Sequence, residues 1–157
     1  MTASFRTLLI PLAALALGAC NTARFSGPQF PPPAAAAGPS VEIRAPGEQV
    51  RRVISQRARS RGTDVVADDQ RGVVLERALA QTSPVLEASC GPHQPGRRIR
   101  IELSTEERPD TTLVTERRFV LDAGGVCPVR LNEADIAEAN NSLNELRSQV
   151  ERRFARR

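Results

Sequence analysis

An α+β domain built on a four- to five-stranded antiparallel sheet is the fold this chain predicts, and three observations carry the prediction. Apolar residues recur at helical spacing near both ends of residues 41–157. Between them, β-branched and leucine residues alternate with polar ones over short runs, as strands with one wet face do. The runs are joined by Asp, Gly and Pro clusters, whose turn chemistry makes neighbouring strands antiparallel.

Taken in order, Ser40-Val41-Glu42-Ile43-Arg44 alternates like a strand. Ala45-Pro46-Gly47-Glu48 then opens a helix, with proline at or near its first turn. Val50, Val53, Ile54 and Ala58 share one face, Arg51, Arg52, Arg59 and Arg61 lie mostly off it, and Gly62 ends the helix. The runs "TDVVA" and "GVVLERAL" follow, joined through Asp68-Asp69-Gln70-Arg71-Gly72 as a β-hairpin.

After a Pro- and Gly-rich loop comes a second hairpin. Ile99, Ile101 and Leu103 alternate on its first strand, and Leu113, Phe119 and Leu121 mark one face of its second. Its charged tip is Glu106-Glu107-Arg108-Pro109-Asp110, and Arg98, Arg100 and Glu102 are expected to face water. The last element is a helix: Asn132 and Asp135 form a capping-box pattern. Ile136, Ala139, Leu143, Leu146 and Val150 then make a single stripe, with Phe154 following. The apolar face of the sheet is the expected cover for that stripe.

Composition narrows the function classes. All 22 basic residues are Arg, so the high isoelectric point reflects a group that does not deprotonate. Residues 41–61 carry six Arg against two acids, residues 62–146 nine against fifteen, and residues 147–157 five against one. Two basic ends around an acidic middle do not make a nucleic-acid surface. Of the five Phe only Phe119 and Phe154 lie in the domain, and Trp and Tyr are absent. Stacking on sugars or bases is thereby disfavoured.

The first forty residues concern location. Arg6 precedes an apolar run from Leu8 to Ala19, which is shorter than the roughly 20 residues a spanning helix needs. The run ends in Leu17-Gly18-Ala19-Cys20, which resembles the lipobox of bacterial lipoproteins. The resemblance implies a signal peptide over 1–19, lipidation of Cys20, and attachment to the periplasmic face of a membrane. Asn21 follows the cysteine where the inner-membrane retention signal of enterobacterial lipoproteins has Asp, which favours the outer membrane. Residues 20–40 then form a tether with five prolines, able to hold a domain up to ~60 Å from the bilayer.

An export signal places Cys90 and Cys127 in an oxidising compartment. They are equidistant from the tip at Arg108-Pro109, so a hairpin brings them together at its open end. A disulfide there closes a loop worth about 4 kcal/mol in the chain-entropy model. The competing reading, Cys90, His93 and Cys127 as a Zn or Cu site, lacks a fourth ligand and a C-x-x-C pair. No metal and no cofactor are expected. The paired acids Asp68-Asp69 and Glu106-Glu107 sit at turn tips, and no phosphate loop or nucleophile motif accompanies them, so no enzyme is expected.

The order β-α-β-β-β-β-α is similar to the helix-grip arrangement. It also resembles small proteobacterial lipoproteins of unassigned function and, more distantly, the compact domains of the C lipoprotein of the β-barrel assembly machinery. No motif residue is transferred by this resemblance. The expected function is non-catalytic binding or scaffolding of an envelope protein partner by a lipid-anchored domain. The alternative is a carrier or sensor of a small apolar ligand held between the C-terminal helix and the sheet.

Overall fold

The computed structural model describes residues 38–156. Cys20, the apolar run before it and most of the tether lie outside them. The elements run β1 (Ser40–Ile43), α1 (Gly47–Ser60), β2 (Asp64–Asp69), β3 (Gly72–Ala78), α2 (Pro84–Cys90), β4 (Arg98–Glu107), β5 (Thr112–Asp122), β6 (Gly125–Pro128) and α3 (Glu133–Phe154). The fold is α+β, a 6-stranded antiparallel sheet with two helices, α1 and α3, against one face.

The sheet order is β1-β5-β4-β3-β2, with β6 also paired to β5. Strand β5 pairs with β1 along Thr112–Thr115 and with β6 along Phe119–Asp122. Between them Glu116 donates its N–H to the Pro39 carbonyl, and Val129 donates to that of Arg118. Two short partners thus make β5 an interior strand. At the other edge, β2 carries a register shift between Val65 and Ala67 followed by Asp68 and Asp69. A bulge and two charges discourage a further strand from adding there.

Local chemistry sets the element ends. Helix α1 closes with Gly62 at φ 69°, where Gly62 donates to the Arg59 carbonyl and Thr63 to that of Ala58. That pair of bonds is the Schellman pattern, and glycine adopts the left-handed residue it needs at least cost. In the β2–β3 turn the Asp69 carboxylate accepts from the Arg71 N–H at 2.8 Å. Gly72, next in line, packs so closely on β4 that a Cβ would lie 2.1 Å from the Leu103 carbonyl oxygen. Helix α3 begins with the full capping box: Asn132 accepts from the Asp135 N–H, and Asp135 from that of Asn132.

The two additional elements flank the disulfide. Ser83 caps α2 by accepting from the Leu86 N–H, and Pro84 occupies its first turn. The helix buries none of its residues, so it has no apolar periodicity to find. Strand β6 follows a two-residue turn after Asp122, whose carboxylate accepts from the Gly124 N–H. At four residues it is too short to alternate visibly. Cys90 at the end of α2 and Cys127 on β6 form a disulfide with Cα atoms 5.8 Å apart. The pairing therefore does not run through an extended β4–β5 hairpin: a helix and an added strand bring the sulfurs together.

Arg97 locks this corner. Its side chain is fully buried and donates to the Cys90 and Gly91 carbonyls at 3.1 Å and to Asp122 at 2.8 Å. The last carbonyls of α2 and a carboxylate at the end of β5 share one guanidinium. That arginine first, and then the Gly124 N–H, holds Asp122 below its ordinary value of 3.8.

The register of β4 on β5 corrects one expectation. Ile99 pairs with Val120, Ile101 with Arg118 and Leu103 with Glu116, and directly paired residues point to the same side. The helix-facing residues of β5 are therefore Val114, Glu116, Arg118 and Val120. Leu113, Phe119 and Leu121 lie on the opposite face. The cover is also divided: α1 packs on β2, β3 and β4, and α3 on β1 and α1. Ala139, Leu143, Leu146 and Val150 of the stripe are buried, whereas Ile136 and Phe154 overhang at the ends and are exposed.

Replacing Cys90 and Cys127 together by serine is expected to cost about 4 kcal/mol of stability, from the 37-residue separation they close. Urea unfolding of the oxidised wild type and the double variant checks this; coincident midpoints contradict it.

Candidate functional site

Dividing the cover between two helices leaves a gap at their seam. A cavity of about 290 Å³ lies between the C-terminal half of α1, the middle of α3 and strands β3, β4 and β5. Its floor is Leu75, Ile99, Ile101 and Leu103, and Ile54, Leu143 and Leu146 form its apolar flank. Ala58 of α1 and Ser142 of α3 present small side chains to it, and Gly62 and Thr63, just beyond the end of α1, complete that side. The volume lies near the lower end of the usual range for ligand pockets.

Charge is concentrated around this floor. Arg57 from α1, Arg61 at its C-cap, Arg77 from β3 and Arg118 from β5 line the cavity, together with Glu116 and Glu138. Glu116 and Arg118 are two apart on β5, so they share its helix-facing side, and their side chains pair at 2.6 Å. Both are largely buried, at 6% and 16% exposure. Ion pairs need water or further donors around them, and an apolar helix supplies neither.

The arginines differ in how they are held. Arg57 pairs with Glu145 of α3, and Arg61 approaches the same carboxylate at 3.7 Å, so the two helices are tied across the seam. The second terminal nitrogen of Arg57, Nη1, is buried and has no hydrogen-bond partner. Arg77 is exposed, and no carboxylate among the described residues pairs with it.

The opposite face of the sheet is polar in a different way. Arg98 bonds Asp64 at 2.6 Å and Glu76 at 3.1 Å, and Arg100 holds Glu76 at 2.6 Å. Arg117 lies over the Phe119 ring at 5.3 Å. Glu102 departs from the expectation that it faces water: it is on the helix-free face but only 6% exposed, and its Oε2 has no hydrogen-bond partner. Burial raises its carboxyl above the ordinary 4.5, against the pull of Arg100 and Arg117.

Cys20 lies outside the described residues. Cys90 and Cys127 are joined to each other, and His93 sits exposed in the loop before β4. Among the described residues no group of three or more His, Cys, Asp or Glu is arranged to hold a metal. Asp68 accepts from Ser55 at 2.6 Å, Glu106 pairs with Arg108 at 3.6 Å, and Glu107 lies 3.9 Å from Arg51. Of the C-terminal arginines, Arg153 donates to Gln56 of α1. Among the described residues no helix is long and apolar enough to cross a membrane.

Sequence reasoning did not single out Arg57, Arg77 and Arg118. One signal was present: "TERRFV" alternates only weakly, and the apolar set on β5 depends on which parity faces inward. No family model matches this chain, and no curated protein matches it in sequence.

Glu102→Gln tests the burial of that carboxyl. An acid whose folded value is raised contributes stability below its unfolded value and loses it as pH rises through the folded one. The variant is therefore expected to melt higher than wild type at pH 7 and alike near pH 3. Thermal unfolding at both values checks this, and an unchanged melting temperature at pH 7 contradicts it.

Proposed function

We propose that this chain is a lipid-anchored, non-catalytic binding domain of the bacterial cell envelope that holds one small, largely apolar ligand between α1, α3 and the sheet. The observation that carries the ligand reading is the cavity of about 290 Å³ with its floor of Leu75, Ile99, Ile101 and Leu103. That apolar floor lies beside six charged residues, Arg57, Arg61, Arg77, Arg118, Glu116 and Glu138, and an apolar surface with convergent polar groups is what a small-molecule site uses to hold and orient a ligand. At about 30 Å³ per water-sized unit the cavity has room for roughly ten non-hydrogen atoms.

Scaffolding of a protein partner is the weaker reading. It would draw on a continuous apolar patch, and among the described residues the exposed large apolar ones are Val66 on β2, Val85 on α2, Val126 on β6, and Ile136 and Phe154 on α3. The α3 pair is separated by 18 positions, about 27 Å along a helix. The anchor reading rests on Leu17-Gly18-Ala19-Cys20 and the proline-rich segment after it. A diacylglyceryl group on Cys20, with a further acyl chain, makes attachment nearly permanent. The outer membrane is the favoured site, from Asn21.

Two measurements test the proposal. The full chain is recovered from its native membranes, and small molecules that co-purify are identified by mass spectrometry. Ile101→Trp from the floor and Ser142→Trp from the helix side are each expected to lose the bound species, and its equal recovery from all three proteins contradicts the cavity reading. Cys20→Ala is expected to release the protein from the membrane or leave its precursor uncleaved; unchanged lipid labelling contradicts the anchor.

A further inference from the structure

We infer that the ligand is a monocarboxylate with an unbranched or compact apolar body of about eight carbons, its head held by Arg57 and Arg77. This rests on the cavity reading above and adds the chemical class of the occupant. The floor selects an apolar body, but it does not select a head; the arginines do. Four arginines line the cavity against two glutamates, Glu116 and Glu138. Positive charge remains in excess when Glu145, which engages Arg57 and Arg61, is added to the acids.

Two of the four arginines are already committed. Arg118 is bonded by Glu116, and Arg61 is near Glu145. Arg57 has spare capacity in the costly place: its Nη1 is buried without an acceptor while Nη2 serves Glu145. A buried donor without a partner is destabilising, and an anionic oxygen that the guanidinium turns to meet removes that cost. Arg77 follows Leu75 by two on β3 and pairs with Ile99, which puts it at the end of the apolar floor on the same side. A carboxylate near both guanidiniums places its chain over Ile99 and Ile101. A cation meets repulsion here, and a neutral alcohol leaves the Arg77 charge unused.

The test is equilibrium dialysis of labelled octanoate, octanol and octylammonium against the full chain in phospholipid nanodiscs, with empty nanodiscs as the blank. Octanoate is expected to saturate at one per chain and to bind at least about tenfold more tightly than octanol or octylammonium. Arg57→Gln and Arg77→Gln are each expected to weaken octanoate about tenfold and leave octanol unchanged. Arg77→Gln guards against a folding effect, since Arg77 makes no ion pair with the described residues. Equal binding of octanoate and octanol, or octanoate binding unmoved in both variants, overturns the carboxylate assignment while leaving the cavity reading intact. Failure of every probe to saturate, with Ile101→Trp indistinguishable from wild type, overturns both.

Discussion

The register of β4 against β5 is the constraint from which the rest of this structure follows. Antiparallel pairing joins Leu103 to Glu116 and Ile101 to Arg118, so a buried ion pair enters the layer that α1 and α3 cover. One residue of slip would turn Glu116 and Arg118 outward and Leu113, Arg117, Phe119 and Leu121 inward. The observed register is fixed by the loop from Arg108 to Thr111, where Arg108 donates its N–H to the Thr111 carbonyl at 2.8 Å. It is also fixed by the partners of β5 on its other side. Val41 opposite Val114 and Ile43 opposite Thr112 place the inward residues of β1 in the same layer.

Arginine serves two purposes in this fold. On the helix-free face, at the α1–α3 seam and beneath α2 it is a connector, its fork reaching two acceptors at once, as in Arg97 on α2 and Asp122 or Arg98 on Asp64 and Glu76. Around the cavity Arg118 is likewise bound, to Glu116, whereas Arg77 has no carboxylate partner among the described residues and Arg57 uses one terminal nitrogen on Glu145 and leaves the other without an acceptor. That difference separates a structural arginine from a candidate ligand-binding one. Neither role is visible from net charge, because most of the acids that balance the connectors are remote in sequence.

The sequence made legible whatever depends on local periodicity or capping. Helix α1, the β2–β3 hairpin and the capping box at Asn132 and Asp135 follow from spacing and turn residues alone. Leu143 and Leu146 were legible as core residues because a 22-residue helix repeats its stripe many times. Helix α2 and strand β6 were not, since seven and four residues without a buried stripe carry no period. The inward face of β5 was lost for a different reason. Leu113, Phe119 and Leu121 are the larger apolar residues, but pairing with β4 decides the face, and pairing is not a local property. The charged lining of the cavity was hidden in part with it, because Glu116 and Arg118 line it only in that register.

These observations describe a layered domain whose helix-facing side is interrupted by design of its pairing, leaving an apolar hollow with a positive rim. The ion pair of Glu116 and Arg118 keeps the layer from closing, in this account. Replacing a buried ion pair by apolar residues of similar size is often neutral or stabilising by about 1–4 kcal/mol. The direct measurement is thermal unfolding of Glu116→Val/Arg118→Leu together with its uptake of octanol. The account predicts a higher melting temperature and loss of uptake, as the helices settle onto an apolar floor. A melting temperature at or below that of the wild type with uptake retained would contradict it.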